Sequence, residues 1–595
     1  MTASSLKKEH RKNYSNILRI PARKNSSAKY CRKKVTMKTT FKYDHYWLYD
    51  EVKTNLEYFT ETYPDLCSLE SICVTEEGRD VLALTITNMK TGEPSTKPAF
   101  HIDGLHHAGE VTGSMAALHA ADYLLTNYGT DFTVTKLLDT ETIYVIPRVS
   151  PDGCETYLTT PYTLRSVNRV HKPKSGGIKE EDLDGDGVIR MMRIPTVYGA
   201  WKKDEADPAR MVFRDPGDTD GEFYDIYPEG VFEPFDGDEN LKRKKPDWSL
   251  DFNRNYPYGW FPENRQAGAG KYPLSNPETK AMADWIISHP NICAVSTNHT
   301  SGGIILYPPG TRKPETVSKD DIKSFIQIAK MCQEETGYEP LNIYDSFIQD
   351  QANYDSGAFD DWCYQSQGLI AYTIEFWDLA KRIGVPYDWN ARRAEDPSTG
   401  IKRFNAAMDW VKENAPEYYV DWQEFDHPVF GKVELGGFNY KFTQQNPPQK
   451  FLTEVCENMT KFMVRFAKAV PHLIIDTLTA EKVSDGVYKV TAIVGNTGYL
   501  PTNITDEAVK MGIAKSVKVM INAENIVSGK KEDEIGNLDG YSRTRTGSAY
   551  GNLSTMANGR QRKKLEWIIK AAAGTEVTVC AAQEKSGSVS ATVIL

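Results

Sequence analysis

Residues 98–129 read PAFHIDGLHHAGEVTGSMAALHAADYLLTNYG. PAFHIDGL (98–105) has the length and composition of a buried strand, and GSMAALHAADYLLTNYG (113–129) has helical spacing closed by a glycine. Between them two adjacent histidines, His106 and His107, precede Glu110. Strand, polar turn and helix form the repeating unit of an α/β sheet, and open sheets of this kind hold ligands at the carboxyl ends of their strands. The alternation continues in both directions. YDEVKTNLEYFTETYP (49–64) reads as a helix stopped by Pro64, and KFLTEVCENMTKFMVRFAKAV (450–470) as another. VLALTITN (81–88), TIYVIPRVSPDG (142–153) and GLIAYTIEFWD (368–378) read as strands. The expected fold class is α/β, with helices on both faces of the sheet.

The rhythm breaks at 171–247, a stretch rich in Gly, Asp, Pro and Lys that reads as a long insertion between sheet elements. Beyond about residue 472 the texture changes again. DGVYKVTAIVGNTG (485–498) and GTEVTVCAAQEKSGSVSATVIL (574–595) alternate with period two between Gly, Asn and Ser turns, the pattern of a small all-β sandwich. A chain of 595 residues exceeds one ordinary core. The expected organisation is a basic extension at 1–36, an α/β domain at 37–471 and a β-sandwich domain at 472–595.

Hydrophobic and charged contents of 40% and 26% are those of a soluble globular protein. No stretch nears the ~18 consecutive apolar residues of a membrane span, so no membrane partner is expected. Residues 1–36 carry eleven Lys and Arg against one acid, Glu9, and read as a disordered head, with Met37 as an alternative start. The chain as a whole is −10, so the body is acidic, which argues against nucleic-acid binding by the folded part. Nine cysteines without CxxC pairs read as reduced thiols, and the N-terminus lacks the apolar segment of a secretory signal. A cytoplasmic location is the expectation.

Four polar groups stand out. Glu375 is the one ionisable group inside the buried-strand pattern LIAYTIEFW (369–377), where an isolated carboxylate costs several kcal/mol or shifts its pKa by ~3–5 units. Such a group suits a general base near neutral pH, and equally a carboxylate paired to arginine at an open strand end. His299 follows ICAVSTN at the end of another strand. DFNRN (251–255) puts an Asp, two Asn and an Arg in one loop, where Asn beside Arg can hold a carboxylate. Arg165 and Arg169 follow the turn SPDG (150–153). A histidine and a glutamate close together after one strand, with a third ligand at a distant strand end, is the arrangement of catalytic zinc.

At these residues the chain, over roughly 40–470, resembles the zinc carboxypeptidase family. HAGE (107–110) matches the family's H-x-x-E motif, which makes His107 and Glu110 zinc ligands and leaves His106 a neighbour. NHTSGGIILYP (298–308) matches its later strand-end histidine, giving His299 as the third ligand. The resemblance implies that Asp251 orients His107 and that Asn253 and Arg254 grip the substrate's terminal carboxylate. It implies Arg165 as the oxyanion arginine, with Arg169 the alternative, and Glu375 in YTIEFWD as the general base. The family's mobile tyrosine most resembles Tyr354, and its side-chain specificity position falls on Asp360, where an acid resembles the members that remove C-terminal Lys or Arg. Gly109 stands where the family commonly has arginine, which puts contacts further along the peptide in doubt. The implied fold is a mixed sheet flanked by helices, carboxypeptidase-like, with the C-terminal sandwich appended. The implied activity is zinc-dependent hydrolysis of the last peptide bond of a peptide with a free C-terminus. The alternatives are a cell-wall peptide amidase, an amino-acid deacylase on the same metal core, or a non-catalytic peptide-binding protein.

EDLDGDGVIR (181–190) places Asp182, Asp184 and Asp186 before Gly187 as a calcium loop does, but position 12 is Arg193 rather than Glu. A partial Ca²⁺ site and a solvated acidic turn are the two expectations.

Overall fold

The computed structural model describes residues 37–595 apart from 172–175, 235–240, 245–247, 349, 390–395, 550–551 and 557–558. The expected head at 1–36 lies outside the described residues. Eight strands form the central sheet: β1 (Cys67–Val74), β2 (Asp80–Ile86), β3 (Ala99–Gly104), β4 (Thr142–Ile146), β5 (Ile292–Thr300), β6 (Ile304–Tyr307), β7 (Glu339–Asn342) and β8 (Ile370–Phe376). Their order is β1-β2-β4-β3-β5-β8-β6-β7. The inner pairs β4/β3, β3/β5 and β5/β8 are parallel, while β1/β2, β2/β4 and β8/β6 are antiparallel, so the sheet is mixed.

The inner strands are buried on both faces, so they carry apolar runs, and the polar residues of β3 and β5 gather toward their carboxyl ends. Alternate side chains serve opposite cores. Phe100, Ile102, Ile143, Val145, Ile370, Tyr372 and Ile374 pack beneath α1 (Tyr49–Thr62), α2 (Val111–Asn127), α3 (Lys319–Thr336) and α5 (Gln449–Ala467). Ala99, Tyr144, Ile146, Val295 and Ala371 face the other way, toward α4 (Phe359–Gln367) and the helix Pro277–Ser288. Phe466 on α5 meets Phe100 and Tyr372 edge-on at 4.8 and 5.3 Å, and truncating so buried a ring typically costs about 3–5 kcal/mol. Glycines set how closely α2 lies on the strand ends. A Cβ on Gly113 would meet the Asn298 carbonyl oxygen at 2.5 Å, and one on Gly104 would meet the Gly113 carbonyl carbon at 2.9 Å. Only hydrogen at these positions lets the β3–α2 turn sit against the end of β5.

Residues 177–233 are not the plain loop their weak periodicity suggests. Met191–Pro195, Trp201–Lys203, Met211–Phe213 and Tyr224–Pro228 join the hairpin Tyr419–His427/Gly431–Phe438 in a six-stranded sheet. The strands are three to nine residues long, too short for alternation to show before distant partners pair them. C-terminally, two four-stranded sheets face each other. Leu473–Ser484, Val487–Asn496, Arg562–Lys570 and Ile526–Ser528 form one, and Glu532–Glu534, Lys518–Ile521, Glu576–Gln583 and Gly587–Ile594 the other. Val490, Trp567, Val519 and Val579 fill the space between them. This layer is tied to the central sheet: the Lys585 ammonium donates to the Pro290 and Ile292 carbonyls at 2.9 and 2.7 Å, and Asp321 on α3 accepts from the Asp506 and Glu507 amides. Among the described residues no helix is long and apolar enough to cross a membrane, and the eight cysteines described are free.

Candidate functional site

Three parallel strands end on one edge of the sheet, and each delivers a polar group there. After β3 the chain turns through Leu105, a buried leucine held at φ 64°, a conformation that crowds a branched side chain and persists only where its surroundings enforce it. The GLHHAGE turn that follows is clamped from outside. The Ala108 amide donates to the Arg165 carbonyl at 2.8 Å, Ser166 Oγ donates to the His106 carbonyl at 2.6 Å, and Asn446 Nδ2 donates to the Gly109 carbonyl at 2.7 Å. His299 lies near the end of β5, and register pairs it with Glu375 on β8.

These groups converge. Nδ1 of His107 lies 2.9 Å from one oxygen of Glu110, and Nδ1 of His299 lies 2.7 Å from the other. The two Nδ1 atoms are 3.1 Å apart. Two imidazole nitrogens facing each other beside a shared carboxylate need a proton or a cation between them, and two N and one O donor within 4.8 Å suit zinc. All three residues are buried. Burial alone would raise the Glu110 carboxyl, but the two histidines outweigh it and hold it low. Burial lowers His299 to about 4, against the pull of Glu110, so the ring is neutral at neutral pH, the form that can bind a metal.

Around this triad the other sequence-derived candidates divide. Asp251 accepts from Nε2 of His107 at 3.1 Å and from Nε of Arg165 at 2.7 Å, which leaves His107 Nδ1 facing Glu110. Arg165 also comes within 3.7 Å of Glu110. Arg169, the alternative, pairs instead with Glu278 and Glu76 at 2.9 and 3.1 Å. His106 turns away into the sheet, between Asp103 at 3.2 Å and the Tyr256 hydroxyl at 2.9 Å. Burial and the charge of Glu110 push the Glu375 carboxyl well above the usual range, with Arg165 and Arg254 pulling the other way.

The DFNRN loop forms a 3₁₀ turn capped by Asp251, whose side chain accepts from the Asn253 amide at 2.9 Å. Asn253 Oδ1 accepts from the Phe359 amide at 2.8 Å, at the start of α4, and Arg254 pairs with Asp355 at 3.3 Å. Asp360 is buried. It accepts from Thr373 Oγ1 at 2.8 Å, two residues before Glu375 on the same face of β8, and among the described residues no cation pairs with it. Burial raises both Asp360 and its neighbour Asp361, the latter to about 7. Tyr354 is not brought to the triad. Its ring packs on Phe261 at 4.7 Å and its hydroxyl reaches the Gly259 carbonyl at 3.5 Å.

The calcium expectation finds no support. Asp186 is taken by an ion pair with Arg190, and Asp182 accepts from the Gly185 and Gly187 amides within its own turn. Asp184 and Glu229 come near Asp182, but Glu229 already accepts from the Leu183 and Arg190 amides. Arg193, at the loop's twelfth position, lies over the Trp422 ring. Residues 440–446, which buttress the GLHHAGE turn, carried no signal in the sequence: their role depends on contacts more than 280 positions away.

The model of the zinc carboxypeptidase family matches residues 52–188 and 223–390, together just over half of the chain, and a domain family of unknown function matches 472–594. Carboxypeptidase A1 of Mus musculus is 22% identical over 346 residues, 58% of this chain and 65% of that protein. Carboxypeptidase D of Mus musculus is 30% identical over 111 residues, 19% of this chain and 8% of that protein. The chain thus spans under two thirds of the length of these relatives. Bovine thrombin-activatable fibrinolysis inhibitor, solved in complex with tick carboxypeptidase inhibitor, aligns at 17% identity over 71% of this chain and 97% of its own, with a TM-score of 0.40.

Proposed function

The chain belongs to the zinc carboxypeptidase family, and from that membership we propose that it removes the C-terminal residue of peptides by zinc-dependent hydrolysis. The observation that carries the proposal is the convergence of His107, Glu110 and His299 beside a buried, strand-borne Glu375. Zinc held by these three residues would supply a Lewis acid that polarises a carbonyl and brings the pKa of water to about 7.

The chain's own residues do the rest. Glu375, whose raised pKa suits proton transfer near neutrality, takes a proton from the attacking water and hands it to the departing amine. Arg165, anchored by Asp251, faces the oxyanion that develops on the scissile carbonyl. Asn253 and Arg254 receive the terminal carboxylate, which restricts the enzyme to chain ends, and Tyr354 closes over it only by leaving its place on Phe261. Asp360, a buried carboxylate that accepts from Thr373 and has no ion-pair partner among the described residues, rewards a Lys or Arg side chain at the C-terminus. The test is zinc content together with release of C-terminal residues from a peptide panel, with Glu375→Gln alongside. One zinc per chain and cleavage that falls about 10²–10⁴-fold in the variant while zinc stays bound are expected. Zinc without release of any residue would refute the reading.

A further inference from the structure

LPTNITDEAV (500–509) belongs by position to the C-terminal sandwich, yet it packs into the α/β domain. Leu500 and Ile504 are buried in the same core as Phe325, Tyr364 and Tyr372. Ile504 is held at φ 61°, a conformation that crowds a β-branched side chain and persists only where its surroundings enforce it. Next to it, Thr505 Oγ1 donates to the Gly368 carbonyl at 2.8 Å, just past the end of α4, and accepts from the Ala508 amide at 3.1 Å. A Cβ on Gly368 would meet Ala508 Cβ at 2.4 Å, so only a glycine lets the two segments come this close. The Asp506 and Glu507 amides donate to Asp321 on α3 at 2.8 and 3.2 Å, and the same carboxylate accepts from the Tyr364 hydroxyl on α4 at 3.0 Å. Glu507 also accepts from the Arg312 guanidinium at 2.9 Å.

Both of the elements anchored in this way reach Asp360. α4 carries Asp360 and Asp361 in its first turn and Tyr364 and Gln365 in the next. The loop that leads to Arg312 closes on the same acids. The Gly310 amide donates to Asp361 at 2.9 Å, and Gln365 Nε2 donates to Asp361 at 2.6 Å and to Thr311 Oγ1 at 3.2 Å. The Tyr258 hydroxyl donates to Gln365 at 2.7 Å, which ties in the stretch that follows Asn253 and Arg254. The metal triad is held by other means: the GLHHAGE turn by Ser166 and Asn446, and His107 by Asp251.

We propose that residues 500–508 of the C-terminal domain brace the pocket that receives the substrate's last side chain, with Thr505 and Glu507 as its positioning residues. The C-terminal domain is then a specificity-determining part of the enzyme rather than a separate module. A pocket remote from the scissile bond gives equal binding to the ground and transition states, so loosening it raises KM and leaves kcat in place. The inference rests on the carboxypeptidase reading and deepens it.

The first test uses the unmodified full chain. By native-state hydrogen exchange, the amides of 500–508 and of 359–367 are expected to open as one unit. In the zinc-loaded chain, Thr505→Val and Glu507→Ala should each raise KM about 3–10-fold for the C-terminal residue that the unmodified enzyme releases best, with kcat and zinc content within about twofold. Thr505→Ser, which keeps the hydroxyl, should retain the unmodified KM. Lys585→Met loosens the same domain junction at a different place, at the Pro290 and Ile292 carbonyls, and should lower Tm with KM unchanged. Opening of 500–508 with 359–367 still protected, an unmoved KM in both folded variants, or an equal rise of KM in Lys585→Met would overturn the proposal while leaving the carboxypeptidase reading intact. Release of no C-terminal residue by the unmodified zinc-loaded chain would overturn both. The exchange measurement needs neither a variant nor a substrate, so a misfolded substitution does not shield the proposal.

Discussion

Asp251→Asn separates the two duties of one carboxylate. Asp251 touches neither substrate nor zinc, yet one of its oxygens accepts from His107 at 3.1 Å and the other from Arg165 at 2.7 Å. An asparagine of the same shape keeps a single acceptor. If its oxygen stays on His107 and on the Asn253 amide, its NH₂ group confronts the Arg165 guanidinium, donor against donor. Losing a partner of a metal-binding histidine typically costs 10–100-fold in metal affinity, and the retained oxygen puts this variant near the low end, about tenfold or ~1.4 kcal/mol. Hydrogen bonds to charged groups are worth about 1.5–3 kcal/mol, but the Arg165 side chain is 41% exposed, so solvent screening favours the lower figure. The expected result is therefore a tenfold weaker zinc affinity by chelator competition and, at saturating zinc, a further ~10-fold loss in kcat/KM carried by kcat. Asp251→Ala should be worse on both counts. Unchanged zinc affinity and unchanged kcat/KM in Asp251→Asn would refute the coupling of His107 and Arg165 through this residue.

Further outcomes follow from the same geometry. As the proposed base, Glu375 would act only when ionised, and burial with the Glu110 charge raises its pKa, so kcat/KM should climb with pH along an acid limb lying above the ordinary glutamate value of about 4.3. Asp360→Asn should lower kcat/KM for peptides ending in Lys or Arg by about 10–100-fold and change neutral C-termini far less, read from paired substrates. Chelation should abolish hydrolysis and lower Tm, and zinc at 100 times its Kd should restore about 2.7 kcal/mol, measured by thermal unfolding with and without metal. Lys585→Met removes two charge-assisted bonds to the Pro290 and Ile292 carbonyls, just before and at the start of β5, and should cost about 1–3 kcal/mol, seen as a lower unfolding midpoint, while leaving kcat unaltered.

Five strands of the central sheet, β2, β3, β4, β5 and β8, were legible because their signals are local. A strand buried on both faces carries an apolar run, as β4 does along its length and β5 does over Ile292–Val295, and the helix after GLHHAGE announces itself by spacing and a closing glycine. The H-x-x-E spacing likewise joins two groups on one short turn. The short strands of 191–228 gave no such signal, since their pairing depends on a hairpin two hundred residues on.

What the order of residues alone determined is thus the alternation of helix and strand and the chemical repertoire at each strand end. Which histidine faces Glu110 was decided by the fold: Leu105 turns the chain, Asp251 claims His107, and Asp103 with Tyr256 claims His106. His299 meets Glu110 across 189 positions only because β3 and β5 are parallel neighbours. Tyr354 kept to Phe261, and residues 440–446 came to buttress the GLHHAGE turn. Such contacts arise from packing between segments far apart in the chain, where local spacing carries no information.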